Sequence, residues 1–171
     1  MFGILLVITA TIGAYVGGKL DDRMGPKRVM LGSLLILLVA TVAILSTGRD
    51  HILFVVPVVP PVAGAGLFAA PAEQFFIAIG LFIGLATGPV QAAARTLLVR
   101  LAPADKITQF FGLFALSGKV TSFAGPLLVG IVTTAFASQR AGMAVLVVFF
   151  AVGALVLSRV RNRENEQAER S

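Results

Sequence analysis

Lys119 is the residue in this 171-residue chain whose position most demands a chemical role. It lies about nine residues into an apolar run, Phe110 to Phe136, which at the helical rise is a depth of about 13 Å. An ammonium that deep on a lipid face costs about 2.5–3.5 kcal/mol on insertion scales. It must therefore face protein or a water-filled cavity, and an intramembrane cation is by default a candidate for holding an anionic group. Ser117, Thr121 and Ser122 lie close by in sequence and could hydrate it. The competing reading is a structural lysine paired to a carboxylate, yet no Asp or Glu lies deep in any apolar run. Its counter-charge would have to be a bound anion, a carbonyl, or a group from elsewhere. Gln91 and Arg95 are the next candidates. They follow Gly88 by three and seven residues, so a helix would put all three on one face. Arg95, near the end of its run, reads either as a snorkelling anchor or as a substrate contact. The chain has no cysteine and one histidine, which leaves no disulfide, thiol nucleophile or Cys-ligated metal; neither a metal nor a cofactor is expected.

The elements that must position these residues are membrane spans. Hydrophobic residues make up 57% of the chain and charged residues 13%, about half the charged share of a soluble domain. There is too little polar surface to wrap a soluble globule, which excludes an ordinary soluble enzyme, a nucleic-acid-binding module and a disordered tail. Five spans are predicted, at about 1–18, 29–47, 75–98, 110–136 and 142–157, within a transmembrane domain over 1–158. An outside loop covers 48–74 and a charged tail 159–171. Lys19 to Arg28 reads as a dense charged loop. Ile52 to Pro71 is apolar but carries four prolines and reads as re-entrant, with a sixth span as the alternative. The first run is not a signal peptide, and its apolar start at Met1 is expected of a chain that enters in mid-helix, as a truncated protein or fragment would.

Charge placement favours five spans. Lys19, Arg23, Lys27, Arg28, Arg95, Arg100, Lys106, Arg159, Arg161, Arg163 and Arg170 then share one side, against Arg49 and Arg140 on the other. By the positive-inside rule the N-terminus is outside and the C-terminus cytoplasmic. The formal charge of +6 is thus an orientation signal, and no nucleic-acid partner is expected.

Small residues at helical spacing predict which spans pack closely. Gly80, Gly84 and Gly88 form a strip in the third span, Gly13 and Gly17 a shorter one in the first, and Gly118, Ser122 and Gly125 another in the fourth. The second and fifth spans are mostly large aliphatics. The first, third and fourth spans therefore read as central, the second and fifth as lipid-facing. Gln91 and Arg95 point inward if the glycine strip does.

The stretch Gly18-Lys19-Leu20-Asp21-Asp22-Arg23-Met24-Gly25-Pro26-Lys27-Arg28 resembles the signature loop of the major facilitator superfamily, G-x-L-x-D-R-x-G-x-K-R, matching at Gly18, Leu20, Asp22, Arg23, Gly25, Lys27 and Arg28. Its glycines permit a tight turn, Asp22 can sit against a helix N-terminus, and its basic residues hold the cytoplasmic face. A second stretch runs Gly88-Pro89-Val90-Gln91 to Arg95, then Leu101-Ala102-Pro103, then Gln109-Phe110-Phe111-Gly112-Leu113 through Gly118-Lys119 to Ser122-Phe123-Ala124-Gly125-Pro126. It is similar to the vacuole-effluxer branch of that superfamily, the autophagy-related amino-acid exporters and their bacterial relatives, with Ala94 where Ser is usual.

That resemblance implies an all-α transmembrane fold, with these five spans resembling most of the C-terminal half of a twelve-helix transporter. It implies alternating-access export of an amino acid or similar small solute, with Lys119, Gln91, Arg95, Ser117 and Thr121 along the pathway and the signature loop as a cytoplasmic latch. The expected partners are the lipid bilayer, the solute and the missing N-terminal half; the expected location is a bacterial inner membrane. The alternatives are a non-transporting membrane assembly partner and a lipid-headgroup enzyme using Asp21 and Asp22 with a metal. The enzyme would need further spaced carboxylates that no span supplies, so no catalytic residue is expected.

Overall fold

A computed structural model describes residues 2–48, 51–53, 56–57 and 71–160. Five helices carry the chain: α1 (Phe2–Met24), α2 (Pro26–Leu45), α3 (Pro71–Leu101), α4 (Ile107–Ala135) and α5 (Gln139–Arg159). All five are long and apolar enough to cross a membrane. Two short strands, β1 (His51–Ile52) and β2 (Val56–Pro57), pair antiparallel after α2. The question whether Ile52 to Pro71 re-enters or spans falls largely outside the described residues, as does the tail beyond Val160.

The charged segment between the first two spans is helix, not loop. α1 runs through Lys19, Asp21, Asp22 and Arg23 to Met24, and α2 begins at Pro26. Charged residues are good helix formers, so polarity alone does not end a helix. Gly25 does. Its φ of 81° is open to glycine and strained for other residues, and its N–H still donates to the Asp21 carbonyl at 2.8 Å. Pro26 then opens α2, where a missing N–H costs nothing, and its ring is fully buried. α3 and α5 overrun their expected limits by a few residues at both ends, and α2 and α4 begin a few residues early, because a helix is bounded by its caps and not by where hydropathy changes. At α5 that cap is Ser138, whose side chain accepts from the Ala141 N–H.

Contacts between helices set their directions. Gly13 packs on Leu85 and Gly17 on Pro89, so residue numbers rise together and α1 and α3 are parallel. Lys27 reaches Ser158 while Arg140 reaches Thr47, so α2 and α5 are antiparallel. Gly142 packs on Val129 and Thr133, so α4 and α5 are antiparallel too. One end of the bundle therefore collects the turn at Gly25, the end of α3, the start of α4 and the end of α5. Among the described residues Lys19, Arg23, Lys27, Arg28, Arg95, Arg100, Lys106 and Arg159 lie at or toward that end, and Arg140 at the other. α2 ends and α3 begins at the same end of the bundle.

The order of packing departs from expectation. α3 packs on α1 and α2, α2 on α5, and α5 on α4. α2, expected to face lipid, buries Pro26, Val29, Ser33, Leu37, Ala40 and Thr41, whereas α4, expected to be central, buries nothing. Hydropathy cannot separate a lipid-facing leucine from a helix-facing one, since lipid tails are as apolar as leucine. The small residues of α4 report that a close neighbour fits there, not that this chain provides it.

Candidate functional site

The tightest helix contact lies between α1 and α3. A Cβ on Gly13 would collide with the Leu85 carbonyl, one on Gly17 would come within 2.5 Å of the Pro89 Cβ, and Cβ atoms on Gly84 and Gly88 would strike Thr9 and Ala10. Gly80 is buried in the same helix. These glycines do the close packing their spacing predicts. Gly118 and Gly125 do not: each faces open space in α4.

Lys119 sits near the middle of α4, twelve residues after Ile107 and sixteen before Ala135. Its side chain is exposed on the chain's surface, and among the described residues it has no hydrogen-bond or ion-pair partner. The hydroxyls expected to surround it are turned to the backbone. Ser117 Oγ donates to the Phe114 carbonyl at 2.8 Å, Thr121 Oγ1 to the Ser117 carbonyl at 2.8 Å, and Ser122 Oγ to the Lys119 carbonyl at 2.7 Å. Their lone pairs can still accept, but their protons are used. Pro126, one turn further, supplies no N–H to the Ser122 carbonyl and so leaves that acceptor without its helical donor. Lys119, Ser122 and Pro126 follow an i, i+3, i+7 spacing and share one face of α4. That face combines an exposed cation, a released carbonyl and two small residues, Gly118 and Gly125, in a mostly apolar helix.

Gln91 and Arg95 are exposed on α3, one turn apart. Gly88 faces Ala10 and Ala14 of α1, and this contact covers neither Gln91 nor Arg95, although Arg95, seven residues on, lies on the Gly88 side of the helix. A step of three residues is 60° short of a full turn, and the α1 contact covers Gly88 without reaching Gln91. α3 and α4 barely meet, so no contact joins Lys119 to Gln91 or Arg95 among the described residues.

In the signature segment the structure separates roles that the sequence leaves together. Gly18, Leu20, Asp22, Arg23 and Arg28 are half-buried or exposed, and Gly25 makes the turn. Asp22 does not cap a helix: α2 starts with no side-chain cap bond, and Asp22 is exposed. The neighbouring Asp21 is the buried carboxylate, 9% exposed, and among the described residues its Oδ1 has no partner. Sequence reasoning named Asp21 only beside Asp22 in the enzyme alternative and missed its burial, although a signal existed. Gly13, Gly17 and Asp21 are each four apart, so the stripe that packs on α3 carries Asp21 into the interface. Lys27 donates from Nζ to the carbonyls of Ser158 at 2.9 Å and Val160 at 2.6 Å. Lys19 stands over the Tyr15 ring, 4.7 Å from its centroid, on the outer face of α1.

The stretch from residue 62 to residue 170, which includes α3, α4 and α5, matches the family model described as "Vacuole effluxer Atg22 like". The chain belongs to this family. Autophagy-related protein 22 of Cryptococcus neoformans is 34% identical over 104 residues, covering 58% of this chain and 18% of that protein. Its namesake in Kluyveromyces lactis is 34% identical over 74 residues, covering 43% and 15%. An uncharacterized MFS-type transporter of Bacillus subtilis, YxiO, is 26% identical over 85 residues, covering 50% and 20%. The matched stretch is thus a fifth or less of the length of these relatives. No solved structure matches the chain. Family and fold together make this an integral membrane protein of the effluxer branch, all-α across its spans, and the helices bearing Gln91, Arg95 and Lys119 lie within the matched stretch.

Proposed function

We propose that this chain is a C-terminal portion of a solute transporter working by alternating access, exporting an amino acid or a similar small metabolite. Lys119 carries the reading. A cation at mid-depth on a helix that buries nothing within its own chain is costly unless that face lines an aqueous pathway or meets a partner. On this reading its ammonium attracts the carboxylate of the solute as the pathway opens. Ser117 and Thr121, two residues to either side of Lys119, are further pathway candidates from the opposite side of α4, and Gln91 and Arg95 flank the route toward the basic end. The basic end is the cytoplasmic one, which sets the N-terminus outside and the C-terminus inside, in a bacterial inner membrane. The N-terminal half of the transporter would cover α1 and α4, and neither half would transport alone.

The test is export of radiolabelled amino acids from proteoliposomes holding the full-length protein, with and without Lys119→Gln. Loss of export with unchanged protein yield supports the assignment. Unaltered export by Lys119→Gln removes Lys119 from the pathway. Transport by this chain reconstituted alone overturns the two-half reading.

A further inference from the structure

The two ends of the α2–α5 pair carry the same device. At the basic end, Lys27 from the first turn of α2 donates to the Ser158 and Val160 carbonyls, where α5 runs out of N–H partners. At the opposite end, Arg140 from the first turn of α5 donates through Nη2 to the Thr47 carbonyl, just past the end of α2, at 3.1 Å. Each helix thus lends a cation to the C-terminus of the other. Both contacts place positive charge at the negative end of a helix dipole and satisfy carbonyls that no helical N–H can reach. Other carbonyls at these ends are met within the same helix. Ser46 and Thr47 hydroxyls donate to Ala43, the Ser46 N–H to Val42, the Ser158 hydroxyl to Leu155 and the Val160 N–H to Leu157.

The spacing gives these contacts their strength. α2 has 20 residues, so the two ends stand about 30 Å apart, close to the thickness of a bilayer's hydrocarbon core. Each cation therefore lies where water gives way to lipid and where an unmet carbonyl is most costly. Buried Pro26 fixes the backbone that aims Lys27, and Ser138 caps the helix start that aims Arg140.

We propose that α2 and α5 form one rigid strut, pinned at both membrane faces by Lys27 and Arg140, which prevents the two helices from sliding past one another. The pinning is a property of the pair. Its use, a fixed body against which other helices move, rests on the transporter reading. Lys27 is in this view a positioning residue whose charge is engaged inside its own bundle.

The test is amide hydrogen exchange on the full chain in lipid nanodiscs, comparing Lys27→Met, Lys27→Arg and Arg140→Met. Lys27→Met should speed exchange at residues 155–160 by about tenfold, the weight of a partly buried helix-end cation, and spare residues 42–47. Arg140→Met should do the converse, and Lys27→Arg should restore protection. No change at 155–160 in Lys27→Met overturns the pin, as does equal loosening of both ends by either single change. A second measurement uses spin labels at Val39→Cys and Val152→Cys, both exposed sites in a chain without native cysteine. One narrow distance, broadened by the double Lys27→Met, Arg140→Met variant, supports the strut. Several distances in the parent chain, with Lys27 and Arg140 intact, overturn it. Neither reading depends on transport, so a strut without transport and transport without a strut are told apart.

Discussion

Gly13 of α1 lies against the carbonyl of Leu85, the acceptor in α3 whose helical donor Pro89 removes. In a regular helix the N–H four residues on would take that carbonyl, and proline has none. Only a residue without a Cβ lets a neighbouring backbone come this near, and its Cα–H can face the released oxygen. Gly17 then seats on the Pro89 ring itself. The break in α3 and the small stripe of α1 are thus one feature.

Gly13→Leu should lower stability by about 3 kcal/mol or more, because the neighbour is rigid backbone that cannot yield. Gly118→Ala should change stability by less than about 1 kcal/mol, since nothing opposes it and alanine is the better helix former. Thermal unfolding of both variants in the same detergent checks the contrast. Similar losses at both positions would mean that the open face of α4 is occupied.

Asp21 is expected to cost stability where it is. A buried carboxylate oxygen without a donor carries a desolvation penalty of about 1–3 kcal/mol. Asp21→Leu should therefore leave this chain as stable or raise its midpoint in a denaturant titration. A fall in the midpoint would show that a donor reaches Asp21.

Gly25→Ala should destabilise the turn between α1 and α2 by about 1–2 kcal/mol, because a φ of 81° is strained for an L side chain. Gly25→Asn should lose about as much, because a ψ of 154° puts the residue outside the left-handed helical well that asparagine tolerates. Protease sensitivity at the turn, raised to a similar degree in both variants over the parent, is the readout.

Removing the ammonium should ease insertion of α4. Lys119→Leu is expected to favour insertion by about 3–4 kcal/mol on the translocon scale. The measurement is the inserted fraction of an isolated α4 segment, read by glycosylation at flanking sites. Equal insertion of both segments would show that Lys119 already snorkels free of the core.

Orientation has a direct test. A reporter active only in the cytoplasm should work when fused after Ser171 and fail when fused after Gly48. The reverse pattern would invert the proposed topology.

Much of the architecture was legible in the residues alone. Five spans, the one-sided basic residues and the close-packing role of Gly13, Gly17, Gly84 and Gly88 follow from hydropathy, charge and spacing, because those quantities are local. The odd placement of Lys119 was legible for the same reason. What the sequence left open is which face meets which neighbour. Only the tertiary structure buried α2 and left α4 bare, left Gln91 and Arg95 exposed beyond the contact that covers the glycine strip, buried Asp21 in place of Asp22, and joined Lys27 to a carbonyl 131 residues away. The physical reason is that lipid and protein interior are nearly equal solvents for an apolar side chain. Composition therefore says that a helix belongs in the membrane, while partner choice is settled by shape and by which polar end groups can reach one another.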